Sequence, residues 1–286
     1  MDDLRDKVAV VTGAGSGIGR GIALALAEAG THVAVADVEG ERARAVAREV
    51  EARGPRALAH ACDVRELAQV EALAEAAWAR FGRVELLFNN AGVNGGGALV
   101  ESTPQDLAWI FSVNVFGVWH GCRAFVPRML AQGGAAHVVN TGSEHSLGVP
   151  HLFSGFYTAS KHAVLALSDV LRRELPAHVG VSVLCPGVVR TDLWNAGRHR
   201  PPGLGGPMEG TDFVRRIMAE GLDPEEIGRR AVAGVRRGDF FILTHPHARR
   251  YAEERWEELR AAFEAQAPMR PGDERLDVME IVRRLS

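Results

Sequence analysis

Short apolar segments rich in valine alternate along the chain with longer segments in which apolar residues return every three or four positions. The longer segments, such as GIGRGIALALAEAG, have the period of an amphipathic helix, and Gly30, Gly54 and Gly82 stand where the first three would end. The short ones have the length and composition of buried strands. They read KVAVVTG, HVAVADV, RALAHACDV, RVELLFNNAG, AAHVVNTGS, VGVSVLCPG and DFFILTHP.

Alternation of strands and helices predicts an α/β fold. Right-handed crossover connections place helices on both faces of a parallel sheet, which gives a Rossmann-like, doubly wound arrangement. We expect about seven strands in this sheet. Since no repeat or linker-like composition interrupts the pattern, the sequence predicts a single domain over residues 1–286.

Two segments fall outside the alternation. Residues 192–222 include WNAGRHRPPGLGGPMEG, whose glycine, proline and arginine content favours a loop, and we predict a substrate lid there. Residues 245–286 are predicted to form a C-terminal helical extension, with the charged amphipathic helix ARRYAEERWEELRAAFEA followed by a polar end. That helix either lies in solvent or contributes to the pocket or to a subunit interface.

Composition narrows the classes of partner. The formal net charge is -3, so no basic field is present that would attract nucleic acid or a membrane surface, and a small-molecule partner is favoured. Cys62, Cys122 and Cys185 are too few and too widely spaced for a disulfide framework or a zinc site. With the charged start MDDLRDKVAV and no apolar run of about 18 residues, we expect a soluble, cytoplasmic protein.

A glycine-rich loop follows the first predicted strand. In TGAGSGIGRG, Gly13, Gly17 and Gly19 have a GxxxGxG spacing, which differs from the common GxGxxG pattern. Glycine allows a tight turn and a close approach to a pyrophosphate, whose charge is received by N–H groups at the start of a helix. The sequence therefore predicts a dinucleotide site here that also includes Ser16 and Ile18.

Asp37 ends the second predicted strand, where a carboxylate can accept hydrogen bonds from both ribose hydroxyls of an adenosine. The same carboxylate would repel a 2′-phosphate, and neither Ser16 nor Val38 supplies a cation to bind one. NAD is therefore favoured over NADP. The alternative is that Asp37 caps the next helix, on which we expect Arg42 and Arg44 to face solvent.

The segment YTASK places Tyr157 and Lys161 four residues apart in a chain with one other tyrosine, Tyr251. Residues at this spacing share one face of a helix. A neighbouring ammonium group favours the phenolate form of tyrosine, so this pair could act as an acid/base near neutral pH. The alternative is a packed tyrosine with a lysine lying beside it.

These motifs together resemble the classical short-chain dehydrogenase/reductase family, and the resemblance covers most of the chain. It implies a nicotinamide-dependent oxidoreductase that is commonly a homotetramer or a dimer. The motifs occur in the family's order: TGAGSGIG, CDV at 62–64, NNAG at 89–92, Asn114 in FSVNVFG, Ser143 in NTGSEHS, YTASK, and PGVVRT at 186–191.

The resemblance also implies which residues bind the cofactor, in addition to Tyr157 and Lys161. Asp63 and Val64 would lie at the adenine, and Asn90 would lie on the ribose side. The remaining implied positions are Ala91 and Gly92 after that asparagine, and Pro186, Gly187, Val189 and Thr191 near the nicotinamide carboxamide and the pyrophosphate.

Catalysis in such a protein would need a base that removes the alcohol proton as hydride leaves the same carbon. The resemblance implies Tyr157 as this base, with Ser143 bonded to the same oxygen and Asn114 positioning a water. Lys161 would lower the pKa of Tyr157 and hold the nicotinamide ribose. The Ser143–Tyr157 spacing is one residue longer than is common in the family, so we expect a loop bulge and keep Ser146 as a rival serine.

Leu147, Val149, Leu152 and Phe153 precede the tyrosine, and Trp194 opens the predicted lid. These apolar residues favour a hydrophobic or aromatic secondary alcohol as substrate. A polyol or sugar remains the alternative within the same mechanism.

Other classes of function fit less well. A catalytically silent NAD-binding sensor would be expected to lack the tyrosine, lysine or serine. A serine hydrolase is disfavoured because NTGSEHS lacks the GxSxG elbow. His137, His145 and His151 lack a known ligand spacing, so no metal site is predicted, and the last two are expected to line the pocket mouth or face solvent.

Overall fold

The computed structural model describes residues 1–95 and 97–285. Seven parallel strands form one sheet in the order β3-β2-β1-β4-β5-β6-β7, so the predicted doubly wound sheet is confirmed. Each apolar segment singled out in the sequence contains one strand. The strands are β1 (Val8–Thr12), β2 (His32–Asp37), β3 (Ala57–Ala61), β4 (Leu86–Asn89), β5 (Ala136–Thr141), β6 (Val179–Cys185) and β7 (Phe241–Leu243).

Helices connect the strands and cover both faces of the sheet. Gly30, Gly54 and Gly82 follow the first three helices, each with a positive φ, as the glycine spacing predicted. A π-helical turn over Ser112–Phe116 joins the fourth helix to the fifth. The helices are α1 (Gly17–Glu28), α2 (Gly40–Glu51), α3 (Leu67–Phe81), α4 (Pro104–Phe111), α5 (Gly117–Gln132), α6 (Gly155–Glu174), α7 (Asp212–Ala219), α8 (Pro224–Arg237), α9 (Arg249–Gln266) and α10 (Val278–Leu285).

The core consists of two apolar layers, one on each face of the sheet. Along β1, Ala9 and Val11 pack with α1, α2 and α8, whereas Val8 and Val10 pack with α3, α4 and α5. This alternation is the two-residue period of a strand whose faces are both covered, and it explains why the strand segments are apolar throughout. Because all the strands are parallel, their carboxyl ends lie at one common edge of the sheet.

Residues 192–222 form a long segment between β6 and α8 whose two ends are joined by backbone hydrogen bonds. Arg190 N donates to Leu222 O at 2.9 Å, and Leu222 N donates to Val188 O at 3.1 Å. Between these points lie two 3-10 segments, Asp192–His199 and Pro202–Leu204, followed by α7.

The C-terminal extension contains α9, close to the predicted helix. It also contains α10, in the part that the sequence analysis described only as polar. Apolar residues recur in α10 at helical spacing, but the helix is short and charged residues interrupt it, so its pattern is weak. No helix in residues 1–95 and 97–285 combines the length and apolar character that crossing a bilayer requires.

His137 gives the fold a testable pH dependence. It is buried in β5, and its Nε2 donates to Ser182 Oγ at 2.7 Å. The unfolded chain binds a proton there near pH 6.5, whereas burial lowers the pKa in the folded protein to about 4. Protonation of His137 therefore does not reduce the free energy of unfolding above pH 6.5, and it reduces it progressively as the pH falls from 6.5 toward about 4. Near pH 5 the loss is about 2 kcal/mol.

Urea unfolding at neutral pH and near pH 5 measures this contribution. We expect His137→Gln to flatten the pH dependence of the unfolding free energy, whatever its effect on absolute stability. The exposed His178 offers a matched control, and His178→Gln should keep the wild-type slope. Equal slopes for His137→Gln and the wild type would contradict the assignment.

Candidate active site

A cleft of about 940 Å³ runs along the carboxyl edge of the sheet, from the end of β2 to the start of α6. It is lined by every residue that the sequence analysis assigned to cofactor or catalysis except Asn114. The assigned residues that line it are Gly13, Ser16, Gly17, Ile18, Gly19, Asp37, Asp63, Val64, Asn90, Ala91, Gly92, Ser143, Tyr157, Lys161, Pro186, Gly187, Val189 and Thr191.

The glycine loop packs so closely against neighbouring backbone that Gly13 and Gly19 leave no space for a side chain. Gly13 has φ 62°, and a Cβ placed on it would lie 2.7 Å from Ala91 Cα. A Cβ on Gly19 would lie 2.1 Å from Gly13 O. Ser16 is the N-cap of α1 but makes no side-chain cap hydrogen bond, so the start of α1 is directed at the cleft without a capping hydroxyl. A pyrophosphate fits this arrangement.

The Asp37 carboxylate accepts hydrogen bonds from backbone N–H groups in two segments, the glycine loop and the turn after β2. Its Oδ2 accepts from Gly15 N at 2.8 Å, and its Oδ1 accepts from Glu39 N at 2.9 Å. The N-cap of α2 is Glu39, so Asp37 does not cap that helix as the alternative supposed. Each carboxylate oxygen keeps a further lone pair for a hydroxyl donor in the cleft.

Arg44 of α2 faces solvent as expected, whereas Arg42 does not. Arg44 is exposed and pairs with Glu41. Arg42 instead pairs with Glu39 at 3.1 Å and with Asp192 at 3.6 Å, so it connects α2 to the segment after β6. The Arg42–Asp192 pair could not be predicted from the sequence because the two residues are 150 positions apart along the chain.

Thr12 joins the glycine loop to the end of β4, a role that the sequence analysis missed. Its Oγ1 accepts from Asn90 N at 3.0 Å and from Ala91 N at 3.1 Å. Asn90 Nδ2 donates in return to Thr12 O at 3.0 Å. Asn90 therefore also braces the two strands that flank the middle of the cleft.

At the adenine end proposed for the cofactor, Asp63 and Val64 are held by neighbouring side chains. Arg65 Nε donates to Asp63 Oδ1 at 3.0 Å. His120 Nδ1 hydrogen-bonds Val64 O at 2.7 Å. Asp63 is therefore held by Arg65, which also lines the cleft, and Val64 by His120.

Tyr157, Lys161 and Ser143 meet at the floor of the cleft. Tyr157 and Lys161 lie on one face of α6, and the Lys161 ammonium is 5.6 Å from the centre of the tyrosine ring. Lys161 Nζ donates to Thr141 O at 2.8 Å, which anchors it to the end of β5. All three side chains are buried.

Burial shifts the pKa values of this group. It raises the pKa of Tyr157 to about 12, although a hydrogen bond with Ser143 acts in the opposite direction. It also lowers the pKa of Lys161 to about 8. The sequence analysis expected Lys161 to lower the tyrosine pKa, but the loss of water around the phenolate outweighs any such effect in this structure.

Asn114 is not among the residues that line the cleft. It is fully buried in the π-helical turn, where its Oδ1 accepts from Val93 N at 2.8 Å. Its Nδ2 donates to Val93 O and to Ser160 Oγ, both at 3.0 Å. The side chain thus holds the segment after β4 against α6, and its role in positioning a water stays a prediction.

Ser146 is not placed to replace Ser143. Its Oγ accepts from Ser143 N at 3.2 Å and donates to Lys161 O at 2.8 Å, so its hydroxyl supports the backbone. The extra residue in this loop is accompanied by Phe153 in a left-handed conformation, with φ 59°. The irregularity expected from the longer spacing therefore lies just before α6.

The sequence profile described as short chain dehydrogenase matches residues 7–201, which include all the strands up to β6 and the Tyr157–Lys161 pair. The chain belongs to the short-chain dehydrogenase/reductase family. A solved short-chain dehydrogenase/reductase from Burkholderia phymatum in complex with NAD has a TM-score of 0.87 and 39% identity, over 95% of this chain and 99% of that one.

Two curated relatives of this short-chain dehydrogenase/reductase are also dehydrogenases. C alpha-dehydrogenase of Sphingobium sp. is 32% identical over 276 residues, 94% of this chain and 89% of that protein. The 1-deoxy-11-beta-hydroxypentalenate dehydrogenase of Streptomyces exfoliatus is 41% identical over 206 residues, 71% and 74% of the two chains. The protein is accordingly an oxidoreductase with a nicotinamide cofactor.

The substrate end of the cleft in this short-chain dehydrogenase/reductase has an apolar wall. Leu152, Phe153 and Trp194 line it as expected, whereas Leu147 and Val149 do not. Val149 is 57% exposed on the outside of the loop. The apolar residues that the sequence analysis missed come mainly from α4 and α7, and they are Trp109, Ile110, Phe156, Phe213, Ile217 and Met218.

Segment 192–222 spans the cleft of the dehydrogenase from one side to the other. Arg198 and His199 each place a nitrogen 3.1 Å from Glu39 Oε1, beside the end of β2. Arg200, which is 4% exposed, pairs with Asp106 on α4 at 2.7 Å. The Arg198–Glu39 and Arg200–Asp106 ion pairs hold the segment against both walls of the cleft.

The C-terminal extension of the dehydrogenase contacts the backbone beside the cleft through His245. Its Nδ1 accepts from Gly187 N at 3.0 Å, and its Nε2 donates to Val188 O at 3.0 Å. One neutral tautomer satisfies both bonds. The imidazole therefore fixes the backbone after β6, where Pro186, Gly187, Val189 and Thr191, the residues predicted to bind the cofactor, line the cleft.

Proposed function

We propose that this protein is an NAD-dependent dehydrogenase that interconverts a secondary alcohol and its ketone, with Tyr157 as the acid/base. The observation that carries the proposal is the burial of Tyr157, Ser143 and Lys161 at the floor of a cleft that continues to Asp37. A nicotinamide cofactor bound there would supply the acceptor for the hydride that leaves the carbinol carbon in alcohol oxidation.

The residues of the chain handle the proton and the charge on oxygen. Tyr157, as the phenolate that the neighbouring ammonium favours, takes the hydroxyl proton of the alcohol and becomes the neutral phenol, and Ser143 donates a hydrogen bond that stabilises charge on the same oxygen. Lys161, with a pKa of about 8, is mainly protonated at neutral pH and keeps a positive charge beside the tyrosine. A phenol with a pKa of about 12 needs such a neighbour to release its proton.

Asp37 and Glu39 support NAD as the cofactor. They place two carboxylates at the end of β2, where a 2′-phosphate would be repelled. The two guanidinium groups beside them are engaged in ion pairs, because Arg42 and Arg198 both pair with Glu39. The Burkholderia phymatum relative, whose structure contains NAD, agrees with this choice.

The apolar wall supports a hydrophobic or aromatic substrate. We propose that segment 192–222 is a lid, whose residues Trp194, Phe213 and Ile217 cover such a substrate and exclude water. One observation favours the alternative, a polyol or sugar. Glu144 and His151 add polar groups to the same part of the cleft.

The test is NADH formation by the purified protein with a graded panel of secondary alcohols, from small aliphatic through aryl to steroid-sized, and with sugars. We expect turnover of the apolar members with NAD. With NADP, like-charge repulsion of several kcal/mol at Asp37 should lower kcat/KM about a hundredfold or more.

Each contrary outcome has a definite meaning. Turnover of sugars without turnover of aryl alcohols would reject the apolar substrate in favour of the polyol. Equal use of NAD and NADP would reject the argument from Asp37. Binding of NAD without turnover of any member of the panel would reject the proposed reaction in favour of a sensor.

A further inference from the structure

A buried carboxylate lies among histidines beside the catalytic tyrosine. The side chain of Glu144 is 3% exposed, and its Oε1 is 3.1 Å from His151 Nε2 while its Oε2 is 2.8 Å from His247 Nε2. His151 belongs to the loop before α6, and His247 belongs to the C-terminal extension. The carboxylate therefore joins two segments that are far apart in sequence.

A third imidazole, that of His145, completes the group. Its ring lies 5.1 Å from the ring of His151, and one ligand atom from each of Glu144, His145 and His151 lies within 4.8 Å of the others. His145 Nδ1 is hydrogen-bonded with Thr158 Oγ1 at 2.7 Å, which leaves Nε2 for another partner.

We propose that Glu144, His145, His151 and His247 form a binding site for a divalent transition-metal ion of the zinc type. Three imidazole nitrogens and one carboxylate oxygen are a donor set that Zn²⁺ binds in tetrahedral geometry. Ligand atoms about 2.0–2.1 Å from such an ion lie about 3.3 Å from one another. His151 Nε2 is already near this spacing from Oε1, at 3.1 Å, whereas His247 Nε2 contacts the other oxygen, Oε2, at 2.8 Å. His247 lies outside the group of three whose ligand atoms are within 4.8 Å of one another, so its half-exposed side chain would turn toward that group to complete the site.

The charge balance around Glu144 favours a dication. Within the described part of the chain its ion pairs are with histidines only, so no lysine or arginine supplies a permanent positive charge to this buried carboxylate. Each histidine would hold its proton on Nδ1 while Nε2 binds the ion.

The surroundings provide an entry path and support for the ligands. His151 and His247 have side chains 46% and 53% exposed, so an ion can reach the carboxylate from solvent. The Thr158 hydroxyl can accept the Nδ1 proton of His145, which is how metal-binding histidines are commonly oriented. Gly187 makes room for the carboxylate, since a Cβ there would lie 2.8 Å from Glu144 Oε2.

The ion would connect the catalytic loop to the C-terminal extension. Glu144 directly follows Ser143, and the His145 ring packs edge-on against the Tyr157 ring with centroids 5.1 Å apart. His247 lies two residues after His245, which holds the backbone at Gly187. Metal binding is therefore expected to stabilise this part of the protein against heat, whether or not substrate turnover changes.

The experiment is a cobalt titration of the full-length protein, freed of any histidine tag, treated with a chelator and dialysed. We expect the visible absorption of tetrahedral Co²⁺ to saturate at one ion per chain and to disappear when Zn²⁺ is added. Glu144→Gln and His247→Asn should each weaken binding by about tenfold or more. His178→Asn, a change at an exposed histidine elsewhere, should leave the titration unchanged.

Two results would overturn the proposal. One is a wild-type protein that shows no saturable cobalt spectrum and no rise of the melting temperature with Zn²⁺. The other is a spectrum that survives unchanged in His247→Asn. Because His247 is half exposed, this variant is expected to fold and remains decisive even if Glu144→Gln does not.

Discussion

Tyr157→Phe is expected to lower kcat about a thousandfold, because the phenol is the proposed acid/base and general acid–base groups commonly contribute between about 10² and 10⁴ in rate. Phenylalanine keeps the ring that packs against His145, so the fold and the cofactor site should survive. Steady-state rates with the best alcohol of the panel, together with NAD binding measured by fluorescence, separate the loss of chemistry from a loss of binding.

Tyr251→Phe is the matched control, since it removes the hydroxyl of the one other tyrosine. That hydroxyl is on α9, where it accepts from the exposed Arg250 at 3.3 Å. We expect its kcat to stay within about twofold of the wild type, the range of a neutral surface change. Full turnover by Tyr157→Phe would remove tyrosine from the proposed mechanism and leave Lys161 or a water as the base.

The parts of the site that follow strand ends could be predicted from the sequence. A valine-rich segment followed by glycine or aspartate marks the carboxyl end of a parallel strand, and such ends meet at one edge. This is why Gly13, Asp37, Asn90 and Ser143, taken from four separate segments, all line one cleft. The Tyr157–Lys161 pair followed from helical spacing alone.

Contacts between distant segments could not be predicted in the same way. Glu144 and His247 are 103 residues apart, and only the path of the C-terminal extension brings them together. Asn114 was assigned by motif, but the motif does not specify that its amide is directed at Val93 rather than the cleft. Leu147 and Val149 were misplaced because an irregular loop has no periodicity that distinguishes inside from outside.

The direction in which the pKa of Tyr157 shifts could not be predicted from the sequence either. Sequence identifies a cation four residues away, which favours the phenolate. It does not give the degree of burial, which in the folded protein raises the pKa to about 12. The balance between these effects depends on packing from several elements, so chemistry inferred from residue types needs the structure to determine its direction.

Gly19→Ala is expected to be the most damaging small substitution in the cofactor site. The added methyl would lie 2.1 Å from Gly13 O and 2.6 Å from Asn90 Nδ2, and the first of these is backbone that cannot rotate away. Such overpacking commonly costs about 1–3 kcal/mol of stability. Because relief requires the glycine loop to move, we also expect the affinity for the nicotinamide cofactor to fall by about tenfold or more.

Gly203→Ala isolates this steric effect from the general cost of replacing glycine. Gly203 lies in segment 192–222, and no described atom would come within 4 Å of its added Cβ. Thermal unfolding and cofactor titration of the two variants should therefore diverge, with Gly203→Ala resembling the wild type in both. If Gly19→Ala also kept wild-type affinity, the loop would have to tolerate a shifted backbone, and close approach of Gly19 to Gly13 could not be what shapes the pyrophosphate site.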